Sequence, residues 1–178
     1  MPSLLILLRD ICLLRRGPQD LPYSPRLLIT ICVASLALQW LFAQIVGIQD
    51  DTLPAGLLGL GFNMGVLYLL LSLRGLRSRF VQAQSALLLC ALLFLLLTLP
   101  VSLIVGSPQP TGETVTSLQM LVVLAWLPIM IWKVVVDAHI LRHSLDLPFF
   151  GGLIVAIVWL LVEYRLVVAL GGGASAGA

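Results

Sequence analysis

Clusters of basic residues alternate with long apolar runs along this chain, and that alternation admits few folds. Arg9, Arg15, Arg16 and Arg26 precede the first run; Arg74, Arg77 and Arg79 separate the second from the third; Lys133 and Arg142 separate the fourth from the fifth. Nine of the ten lysines and arginines thus fall on one side of a threaded chain, the tenth being Arg165. The segments assigned to the other side, residues 49–54 and 106–113, carry Asp50, Asp51 and Glu113 and no base.

The runs themselves, residues 27–46, 56–73, 86–105, 115–136 and 149–170, approach the ~20 residues that carry a helix across ~30 Å of hydrocarbon. Composition agrees: 60% of residues are hydrophobic and 10% charged, against roughly half and a quarter in soluble domains. Backbone amides in lipid must be satisfied within their own segment, and the runs lack the apolar/polar alternation of barrel strands. The expected fold is all-α and polytopic, with five transmembrane helices and an N-terminal interfacial amphipathic helix. Short basic loops stay in the cytoplasm, which puts the N-terminus inside. The C-terminal tail, residues 171–178 (GGGASAGA), is then outside and flexible.

Residues 1–16 lack the basic start and cleavage site of a secretory signal. Wound at 100° per residue, they place Arg9 and Arg16 on one face and Leu4, Leu7, Ile11 and Leu14 on the other, as in a helix lying at the headgroup boundary. Residues 17–26 follow as a Pro-rich linker with Pro18, Pro22 and Pro25, and Tyr23 is placed as an interfacial anchor. The three cysteines, Cys12, Cys32 and Cys90, have no CxxC spacing and read as structural thiols.

Within the spans, Gly61 and Gly65 form a GxxxG pair that favours close helix packing. Asn63 beside them needs an amide partner, for which Gln39, Thr98 and Gln119 are candidates. Pro100 and Pro128 each remove an intrahelical bond and bend their helices. Glu163 is the one acid inside a proposed span. With Arg165 it forms a candidate intramembrane polar site, although spacing of two turns the pair apart on the helix and its depth points toward the outer interface.

The segment WKVVVDAHILRHSLD sets Lys133 and Asp137, and likewise His139 and His143, at i and i+4. Two histidines so placed can chelate, but no third ligand stands at a recognised spacing, so no metal or other cofactor is expected. Lys133, His139, Arg142 and His143, together with Arg74, Arg77 and Arg79, read instead as a basic surface for a partner or lipid headgroups. No GxSxG, HExxH, paired carboxylates or phosphate-binding glycine loop is present, so an enzyme is not expected. No nucleic-acid role is implied.

Two stretches carry a resemblance. Arg79-Phe80-Val81-Gln82 leading into Ser85-Ala86-Leu87, and His139-Ile140-Leu141-Arg142-His143 after Trp132, resemble segments of a family of small proteobacterial membrane proteins. The five-span plan is loosely similar to that of the Yip family of Rab-interacting membrane proteins. The resemblance implies a bacterial inner membrane and a role in arranging or binding other membrane components. The expected role is that of an accessory or scaffolding protein, with membrane lipid, other integral membrane proteins and, through the GxxxG face, a second copy of the chain as partners. The alternative is a small oligomeric transporter or channel whose path is lined by Glu163, Asn63 and Gln39.

Overall fold

The computed structural model of the chain describes residues 4–47, 52–105 and 117–174. Half of the proposed outer loop 49–54, all of 106–113 and the last four residues of the tail lie outside them. Six helices are present: α1 (Leu4–Cys12), α2 (Pro25–Val46), α3 (Thr52–Leu73), α4 (Phe80–Val105), α5 (Ser117–Leu145) and α6 (Phe149–Ala174), with no strand among the described residues. Four of them, α2 to α5, are long and apolar enough to cross a membrane, the signature of a multi-pass membrane protein.

Helix limits differ from the sequence expectation where capping, not hydropathy, decides them. The first helix stops at Cys12, not residue 16: Leu14 takes a left-handed φ of 61°, and the Arg15 and Arg16 amides donate back to the Asp10 carbonyl. The linker contains a 3-10 turn, Pro18–Asp20. Helix α2 begins at Pro25 because Ser24 Oγ accepts the Leu27 amide hydrogen at 3.2 Å. Helix α5 runs nine residues past the expected end at 136, through the polar Asp137–Arg142 stretch, and ends where Asp146 adopts φ 51°. Helix α6 includes Gly171 to Ala174, which the sequence assigned to a flexible tail.

Helix α4 is the hub of the bundle. From its second turn Ala83, Gln84, Ser85, Ala86, Leu87, Leu88 and Cys90 are all enclosed, and it packs against α1, α2, α3 and α5. Leu28 and Ile31 of α2 meet Leu88 of α4. Helices α5 and α6 make the closest crossing, at Gly152. A Cβ there would stand 2.6 Å from the Ala138 carbonyl oxygen and 2.7 Å from Arg142 Cβ, so the approach requires glycine.

Helix α1 docks on the bundle. Leu7 and Ile11 are buried in the main core, while Leu4 is partly covered and Leu14 lies beyond the helix and is exposed. The apolar face predicted to meet lipid is therefore partly turned onto α4 and α5. Trp132 Nε1 of α5 donates to the Cys12 carbonyl at 3.0 Å, and Cys12 Sγ lies 3.5 Å from Cys90 Sγ of α4. Arg9 and Arg16 both reach the Asp10 carboxylate, at 2.9 and 3.3 Å, Arg16 from beyond the end of the helix.

Candidate functional site

Helices α5 and α6 run antiparallel from a short turn, so residues equally far from it come together. Lys133 lies 12 residues before the end of α5 and Glu163 lies 14 after the start of α6, which places them about 18 and 21 Å from the turn at ~1.5 Å per residue. They meet across a cavity of about 210 Å³, lined also by Asp137 of α5, Trp159 of α6 and Asn63 of α3, with apolar residues of α4 closing one wall.

Lys133 Nζ donates to Asp137 Oδ2 at 2.7 Å within α5, as the i, i+4 spacing requires. Among the described residues Glu163 has no ion-pair partner. The site therefore holds two carboxyl groups and one amine. Lys133, which the sequence placed on the basic surface, faces this interior cavity instead. Asp137, expected just beyond the fourth span, lies inside α5, so Glu163 is not the only acid within the helical bundle. Nor does Glu163 stand apart: it shares its cavity with Lys133 and Asp137. Arg165 is exposed, apart from the cavity.

Asn63 finds a partner that the sequence reading missed. Gln84 Nε2 of α4 donates to Asn63 Oδ1 at 3.1 Å. Gln84 falls outside the third span that hydropathy begins at residue 86, whereas α4 starts at Phe80. Gln84 is fully buried, and its carbonyl oxygen has no partner among the described residues. Gly61 and Gly65, on either side of Asn63 in sequence, are exposed, and a Cβ at either would meet nothing within 4 Å.

The basic residues divide into two groups. Arg79 Nη1 donates to Asp146 Oδ1 at 2.8 Å and to the His143 carbonyl at 3.2 Å. His139, buried, bonds the Arg16 carbonyl through Nε2 at 3.0 Å and stacks edge-on with the His143 ring. Arg142 lies over the Phe149 ring and reaches His143 Nε2 at 3.2 Å. Gln82 Nε2 donates to the Gln19 and Leu21 carbonyls. Arg79 thus ties the start of α4 to the turn between α5 and α6, His139 reaches Arg16 just before the Pro-rich linker, and Gln82 holds the linker itself. Arg79 and His143 also border a second cavity, of about 240 Å³, with Gln82 and Asp146.

Arg74 and Arg77 belong to the other group. Both are exposed in the turn between α3 and α4, neither has an ion-pair partner among the described residues, and Arg77 sits 6.0 Å from the Tyr68 ring centroid. Arg15 and Arg26 are likewise exposed and unpaired there.

No three His, Cys, Asp or Glu side chains come together as a metal site among the described residues. Comparison of the chain with protein families, curated proteins and solved structures returns no match.

Proposed function

We propose that this protein is a non-catalytic accessory or scaffolding component of the bacterial inner membrane, docking other integral membrane proteins and anionic lipid against a cytoplasmic basic rim. In this reading α6 is the fifth span, α1 rests in the inner interface against α4 and α5, the N-terminus is cytoplasmic and the C-terminus periplasmic. The observation that carries the docking role is the division of the arginines. Arg74 and Arg77 stay exposed and unpaired while Arg79 is engaged within the fold, so only the first two are available to a headgroup phosphate or a partner's acid. They follow directly on α3, whose exposed Gly61 and Gly65 offer a small-residue face to another helix, including a second copy of this chain.

The test is co-purification in mild detergent, comparing wild type with Arg74→Gln/Arg77→Gln. Docking predicts that co-purifying protein or anionic lipid falls away in the variant while expression is unchanged; identical co-purification contradicts it. A second reading, a small oligomeric transporter or channel, is favoured by the polar cavity of Asn63, Lys133, Asp137 and Glu163. It predicts loss of function in Glu163→Gln with normal expression.

A further inference from the structure

From the cavity between α3, α5 and α6 we propose a binding site for a small organic ammonium ion, held by Glu163 and Asp137 against the Trp159 ring. The inference rests on the cavity alone and is independent of the docking role.

Charge comes first. Lys133 and Asp137 compensate each other at 2.7 Å, leaving Glu163 as the carboxylate without a cation among the described residues. A carboxylate in a mostly apolar surround is stable as an anion only beside a counter-charge, and a positive ligand supplies one. Shape comes second. The cavity of about 210 Å³ is smaller than the ~300–1,000 Å³ of sites for drug-sized ligands, yet far larger than a bare metal ion. A hard divalent ion such as Mg2+ or Ca2+ takes six or more oxygen ligands and Zn2+ three or four protein ligands, while the described residues assemble no group of three metal-binding side chains.

Chemistry comes third. Trp159 lines the same cavity as the carboxylates, and an indole face attracts alkylammonium groups more than any other aromatic ring. Asn63 lines it from α3, its carbonyl oxygen already engaged by Gln84, which holds that side chain in place. Lys133 is both Asp137's partner and a competitor for ligand: an incoming ammonium shares the two carboxylates with it.

The experiment is thermal unfolding of the full chain in detergent, titrated with methylammonium and tetramethylammonium chloride, with sodium chloride at equal concentration as reference. The proposal predicts a saturable rise in Tm with one or both ammonium salts, none with sodium, and at least about tenfold weaker binding in Glu163→Gln. No saturable rise, an equal rise with sodium, or unchanged binding in Glu163→Gln overturns it. Labelling of Glu163 by a hydrophobic carbodiimide in the wild-type protein gives a second measurement that needs no variant. Protection by the ammonium salt supports the site, and labelling that the salt leaves unchanged contradicts it.

Discussion

Cys12 and Cys90 are 78 positions apart in the chain, yet their sulfurs lie 3.5 Å apart in the folded protein. The contact joins α1 to the most enclosed helix of the bundle, beside the Trp132 bond to the Cys12 carbonyl. Both thiols are buried and free. Docking of α1 therefore has a direct chemical readout. Mild oxidation with copper phenanthroline is expected to remove two of the three thiols, Cys12, Cys32 and Cys90, and to join peptides containing Cys12 and Cys90. Cys12→Ser abolishes the product. A link from Cys12 to Cys32, or none at all, speaks against the docked position of α1.

Gly152 sets the distance between α5 and α6. Gly152→Ala drives a methyl against the Ala138 carbonyl 2.6 Å away, and overpacking of this kind costs about 1–3 kcal/mol. Gly61→Ala, with nothing within 4 Å, is expected to leave monomer stability unchanged and to weaken self-association, if α3 is the face used. Thermal unfolding and cross-linking of the two variants distinguish these outcomes. Equal loss of stability in both contradicts the packing described.

Removing one partner of the Lys133–Asp137 pair leaves a charge in an apolar surround. Breaking a buried pair costs ~3–5 kcal/mol, and the two side chains here retain only 26% and 21% of their exposure. Lys133→Met and Asp137→Leu are each expected to destabilise by that amount, and the double variant by less than the sum. Unfolding of all three checks this, and additivity contradicts the coupling.

Arg74 and Arg77 are each expected to contribute about 1 kcal/mol to binding anionic lipid, so replacing both by Gln weakens the binding of an anionic lipid to the detergent-solubilised protein by about thirtyfold. Raised salt diminishes the difference. Arg79→Gln is expected to act otherwise: it removes the bonds to Asp146 and the His143 carbonyl and lowers stability. Titration of the detergent-solubilised protein with anionic lipid and thermal unfolding separate the two effects. Equal lipid-binding losses at all three arginines contradict the division of the rim.

Hydropathy made the spanning helices α2 to α5 legible, because length and apolar composition are properties of local sequence. The cavity was not legible. Lys133 and Asp137 read as a pair, but their meeting with Glu163 and Asn63 depends on how α3, α5 and α6 are rotated, and periodicity is silent about rotation in helices that are apolar on every side. Asn63 visibly needed an amide, while its partner Gln84 lay outside the expected span. The apolar face of α1 was readable from Leu7 and Ile11. That it turns onto α4 and α5 follows from contacts at Trp132 and Cys90, more than 75 residues away.

The threading of the chain supports every role assigned to the arginines, and two reporter fusions test it most directly. Alkaline phosphatase and green fluorescent protein, each fused after Ala178, report the periplasm and the cytoplasm respectively. Five spans with a cytoplasmic N-terminus predict an active phosphatase and a dark fluorescent protein. A bright fluorescent protein with an inactive phosphatase contradicts the account.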